Sequence, residues 1–130
     1  MKNKFRFIGV LALSALATSA FAGLKFSYPV SVDSVSRVAW GSMGTARNSA
    51  DAVQYIGCSV STYNTGGSYG ICEGRNAANS TRACTTTNAD MMAAIRMVSE
   101  ASFIFFTWDT SNNCTMISVV NWSFVEPMLP

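Results

Sequence analysis

Four cysteines and no histidine constrain this chain more than any other feature of its 130 residues. Cys58, Cys72, Cys84 and Cys114 are separated by 13, 11 and 29 residues, so no C-x-x-C pair exists and the spacing fits no zinc motif. An even number of cysteines in a short exported chain reads instead as two disulfides. Four cysteines allow three pairings. The expected one is Cys72–Cys84 with Cys58–Cys114: the turn-like segment AANS lies between Cys72 and Cys84, and Cys58–Cys114 would tie the first half of a sheet to its last strand.

Export is read from the N-terminus. Lys2, Lys4 and Arg6 precede the apolar run FIGVLALSALATSA, and Ala20-Phe21-Ala22 follows as an A-x-A cleavage signature. Residues 1–22 are therefore expected to be a signal peptide and residues 23–130 one mature domain, periplasmic or extracellular. The apolar run is shorter than a membrane span requires, so no membrane span is expected after cleavage. Cleavage removes three of the nine basic residues and takes the formal net charge from +2 to −1. No basic cluster remains to neutralise a phosphate backbone, and nucleic acid is not an expected partner.

Local patterns predict an α+β fold: an antiparallel sheet of five to seven short strands, one packed helix and two disulfides. An all-β sandwich with the helix as a peripheral crossover is the alternative. Segments 24–32, 34–40 and 52–63, YGICEG and TRACT alternate as strands. NTGGS (residues 64–68) is a turn without the lysine of a phosphate loop, and GSMGTARNSAD (residues 41–51) reads as a surface loop. TTTNADMMAAIRMVSEA is the one convincing helix, capped by Thr87 or Asn88, with Met91, Ala94, Ile95 and Val98 on a stripe that packs on a sheet. Ser102–Asp109 and Cys114–Phe124 predict two central strands joined by TSNN. Both are apolar on both faces, so their second face is either covered or presented to a partner.

The missing residue types exclude much chemistry. Without histidine there is no Ser-His-Asp triad, Cys-His dyad or histidine metal site, and no metal or cofactor is expected. Carboxylate chemistry remains, with Glu73 and Asp109 near strand ends as a candidate glycosidase-like pair. Candidate binding residues are Arg47, Asn48, Asp51 and Tyr55, which cluster in the loop and the strand after it, together with Trp108 and Trp122 on the apolar strands. The plainer reading, and the preferred one, is an Arg47–Asp51 surface ion pair and an asparagine turn that enter the next strand. GSMGTARNSADAVQYIGC, the spaced Cys72 and Cys84, and the ending SFIFFTWDTSNNCTMISVVNWS resemble a group of small exported bacterial proteins of uncharacterised function. The resemblance covers nearly all of the mature chain. It implies a self-contained exported domain and carries over no catalytic residue. The leading expectation is a non-enzymatic module that binds a protein or a cell-envelope ligand. The alternatives are a small carboxylate-dependent cell-wall hydrolase and an inhibitor of a secreted enzyme acting through the 41–51 loop.

Overall fold

The structure is a computed structural model and describes residues 23–130. The proposed signal peptide lies outside the described residues. Seven strands and two helices follow in chain order: β1 (Ser31–Asp33), β2 (Val38–Ser42), α1 (Met43–Asn48), β3 (Tyr55–Thr62), β4 (Ser68–Arg75), β5 (Thr81–Thr86), α2 (Ala89–Ile95), β6 (Phe103–Trp108) and β7 (Cys114–Val120). The class is α+β, but the strands divide into two antiparallel sheets rather than one, ordered β1-β2-β6-β7 and β3-β4-β5.

Each turn has a local cause. Asp33 Oδ1 accepts from the amides of Val35 and Ser36 at 2.8 and 3.0 Å, which folds the β1–β2 connection. Gly66 and Gly67, both at φ 90°, reverse the chain between β3 and β4, in a region that side chains resist. Asn76 Oδ1 accepts from the Ser80 amide at 2.9 Å, and Asn79 takes a left-handed φ of 66° before β5. Asn88 caps α2 by accepting from the amides of Asp90 and Met91, each at 3.0 Å.

The two sheets share one core. Ala39, Ile104 and Phe106 from the larger sheet and Cys72 from the smaller are fully buried, with Ile56 and Cys84 nearly so. Burial of this kind is worth roughly 1.5–3 kcal/mol for each large apolar side chain. Helix α2 closes one end by setting Ile95 and Met92 against Gly70, where a side chain would displace them. Alternation along β6 is strict: Ile104, Phe106 and Trp108 point inward, while Phe103, Phe105 and Thr107 face out.

Three further expectations need correction. The disulfides are Cys58–Cys72 and Cys84–Cys114, not Cys72–Cys84 and Cys58–Cys114. Cys72 stands in register with Cys58 on one side and with Cys84 on the other, so a hairpin neighbour was available either way. The β6–β7 turn decides between them. The Thr85 amide donates to the Asn112 carbonyl at 3.0 Å, which brings Cys114 alongside Cys84 and leaves Cys58 for Cys72. The second correction is α1, which forms where a loop was expected: Ser42 caps it by accepting from the Thr45 amide at 3.2 Å. The third is β7, which borders its sheet rather than lying at the centre.

Candidate functional site

The outer face of the four-stranded sheet is the most distinctive surface of the molecule. Register places Trp40 beside Phe105 and Phe103 beside Val120, all directed away from the core and all half-buried. The N-terminal segment extends this face. The Phe26 amide donates to the Phe124 carbonyl at 2.9 Å, and Phe26 bridges to Val125 in parallel, so the first and last stretches of the domain lie side by side. Tyr28 is fixed at both main-chain groups: its amide donates to Thr45 Oγ1 at 3.0 Å and its carbonyl accepts from the Ser42 amide at 2.9 Å.

Six rings consequently form an unbroken chain. Trp40 neighbours Phe103 (centroids 6.2 Å apart), Phe103 neighbours Tyr28 (5.0 Å), Tyr28 neighbours Phe26 (6.1 Å), Phe26 neighbours Phe124 (5.5 Å) and Phe124 neighbours Trp122 (4.9 Å). Edge-to-face contacts predominate, the arrangement that aromatic quadrupoles favour. Between the rings lies a cleft of about 170 Å³, lined by Tyr28, Phe103, Val120, Trp122, Phe124 and Val125. Trp122 is 61 % exposed and Phe26 44 %, so both rings stand open to solvent.

Glu126 pins the segment that carries Phe124. Its carboxylate accepts from Thr45 Oγ1 at 3.0 Å, from Ser27 Oγ at 3.2 Å and from Asn48 Nδ2 at 3.3 Å. The Asn48 amide, helped by the two hydroxyls, holds the Glu126 carboxyl below its ordinary range. Asn48 also donates to the Pro127 carbonyl at 3.0 Å and accepts from the Leu129 amide at 2.9 Å. Its side chain therefore anchors the tail from the end of α1.

The other residues singled out in the sequence are dispersed. The Asp51 carboxylate accepts from the amides of Val53 and Gln54 and from Gln54 Nε2 at 2.6 Å, and these bonds, those of Gln54 foremost, hold its pKa down to about 2. Asp51 thus orients Gln54, whose Oε1 accepts from the Val30 amide at 2.8 Å. Arg47 and Tyr55 line a shallow hollow between α1 and β3. The Tyr55 hydroxyl donates to the Glu73 carboxylate, which raises the tyrosine pKa, and the Arg75 guanidinium sits 5.0 Å from the Tyr55 ring centroid. Trp108 is 6 % exposed and packs on Phe106, inside the core. Of the residues singled out, only Trp122 lines the aromatic cleft.

Glu73 lines two open hollows on the smaller sheet, and Asp109 lines neither. Asp109 is engaged in its own turn: Oδ1 accepts from the amides of Ser111 and Asn113, Oδ2 from Asn113 Nδ2, and the Asn113 bonds chiefly hold its carboxyl below the ordinary range. Such a carboxylate stays ionised and is poorly suited to be a general acid. Among the described residues no group of three or more His, Cys, Asp or Glu side chains is placed to hold a metal ion. No helix there is long and apolar enough to cross a membrane.

Sequence reasoning missed Tyr28, Phe103, Val120, Phe124 and Val125 as members of one site. The available signal was apolar character on both faces of β6 and β7, and on every second residue from Leu24 to Tyr28. What assembles these residues is the pairing of Phe26 with the Phe124–Val125 segment, a contact between distant parts of the chain. No protein-family model, no curated protein and no solved structure matches this chain.

Proposed function

We propose that the protein is an exported, disulfide-stapled binding module without catalytic activity, and that it engages an apolar feature of a protein or cell-envelope partner through its aromatic face. The observation that carries this reading is the six-ring chain from Trp40 to Trp122, with its cleft open to solvent. An unblocked aromatic surface of this kind is characteristic of contact sites, where large rigid rings supply area at low entropic cost. The cleft has room for a single apolar side chain or the end of a hydrocarbon chain. Two disulfides fit an oxidising compartment, in keeping with export.

The test is a comparison of the wild-type protein with Trp122→Ala and Phe26→Ala variants as immobilised baits against envelope extract, alongside titration with a hydrophobic dye. Wild type should bind the dye and retain a defined partner, and both variants should lose both. A wild-type protein that binds no dye and retains nothing, or variants that retain the same partner undiminished, would reject the reading.

A further inference from the structure

The smaller sheet carries an open edge, and its chemistry is specific. Strand β3 borders that sheet and pairs only with β4. The phase of the pairing is fixed by two observations. The Tyr63 amide donates to the Gly67 carbonyl at 3.2 Å, which continues a ladder formed by the odd-numbered residues of β3. Cys58 and Cys72 face each other with Cα atoms 4.1 Å apart, the closer spacing of a pair that exchanges no main-chain bonds. The amides and carbonyls of Cys58, Val60 and Thr62 therefore point outward along the edge. Among the described residues they meet no main-chain or side-chain hydrogen-bond partner.

Exposed edges of this kind are normally blunted with a charge, a proline or a bulge. Strand β3, YIGCSVST, has none of these: it carries no charged residue and no proline, and its register with β4 is continuous over all eight residues. Tyr, Ile, Val and Thr favour the strand conformation, and Gly57 faces open space.

We infer that a second copy of this chain occupies the edge, β3 against β3 and antiparallel, with a two-fold axis at Val60. In that register Val60 faces Val60 of the second copy and Cys58 faces Thr62 of the second copy. These are the residues whose main-chain groups point outward, so each facing pair exchanges both of its hydrogen bonds. No like charges meet across the seam, because β3 has none. The contact is isologous and closes at two copies, joining the two three-stranded sheets into one of six strands. No residue of the aromatic cleft lies in β3, so the dimer presents that face twice.

The test uses the oxidised protein in sedimentation and amide hydrogen exchange between about 10 µM and about 1 mM, a range that spans weak self-association. A reversible dimer is expected. The amides of Cys58, Val60 and Thr62 should exchange about tenfold more slowly at the high concentration, while Ser59 and Ser61, already in the ladder, should not change. Thr62→Pro, which removes an outward amide at an exposed position, and Ser59→Lys, which charges the edge, should both shift the equilibrium to monomer with an unchanged near-UV spectrum. A protein that stays monomeric throughout overturns the inference and leaves the edge to an extended segment of another protein. A dimer that leaves those three amides unprotected, or that both variants form as readily as wild type, overturns it as well.

Discussion

Gly44 of α1 packs directly on the main chain of Glu126, so closely that a Cβ at position 44 would overlap the Glu126 carbonyl. The C-terminal segment lies across the helix, and that segment carries Phe124 to the aromatic face. Main chain cannot swing aside as a flexible side chain can. Gly44→Ala should therefore destabilise the fold by about 1–3 kcal/mol through overpacking. It should also loosen the tail, which carboxypeptidase digestion would register as faster loss of the last residues. An unchanged melting temperature and unchanged digestion would contradict this packing.

Acid should weaken the protein through the same region. Asp51, held down to about 2 by Gln54 and Val53, and Glu126, lowered by Asn48, Thr45 and Ser27, both favour the ionised form more in the folded chain than in the unfolded one. Groups with depressed folded-state pKa values contribute stability that is fully present above the unfolded value, near 4, and is lost as the pH falls through the folded value. Urea midpoints should thus be flat from pH 7 to about pH 5 and fall between about pH 4 and pH 2. In Asp51→Asn the fall should be shallower across that window. An equally steep fall would assign the acid sensitivity to other carboxylates.

The short-range structure of this chain was legible because its causes are local. Asn88 and Asp90 mark the start of α2, Gly66 and Gly67 mark the β3–β4 reversal, and the alternation in FIFFTW separates Phe106 from Phe105. Helix α1 was hidden because GSMGTARNSAD is rich in glycine and small polar residues. It forms because Ser42 caps it and because Asn48 and Gly44 find the C-terminal tail. The disulfide pairing was hidden for a related reason: Cys58, Cys72 and Cys84 stand abreast on three strands, and only the placement of the Asn112–Asn113 turn on Thr85 selects between them. Trp108 and Trp122 look alike in sequence, but the strand phase buries one, and the chain beyond β7 carries the other out to the rim.

The two disulfides should differ in worth. Cys84–Cys114 spans 30 residues and joins the two sheets, whereas Cys58–Cys72 spans 14 and staples a hairpin that β3 and β4 already form. Chain entropy alone assigns about 3.7 kcal/mol to the longer loop and about 3 kcal/mol to the shorter. Removing the inter-sheet bridge also frees β5 from β7. Paired substitution Cys84→Ala with Cys114→Ala should therefore lower the urea midpoint more than Cys58→Ala with Cys72→Ala. The reverse order would mean that the hairpin, not the inter-sheet seam, limits stability.

Trp108 and Trp122 should respond oppositely to truncation. Trp108 lies in the core against Phe106, so Trp108→Ala leaves a cavity and should cost about 3–5 kcal/mol. Trp122 packs edge-on against Phe124, and an edge-to-face contact at an exposed site is worth about 0.5–1.5 kcal/mol. Trp122→Ala should therefore melt within a few degrees of wild type. It should also remove most of the red-shifted, acrylamide-quenchable emission, since Trp122 is 61 % exposed, Trp40 is half-buried and Trp108 is only 6 % exposed. If Trp122→Ala destabilises as severely as Trp108→Ala, the aromatic face is a structural seam rather than a contact surface, and the rings from Tyr28 to Trp122 hold the domain's two ends together instead of holding a partner.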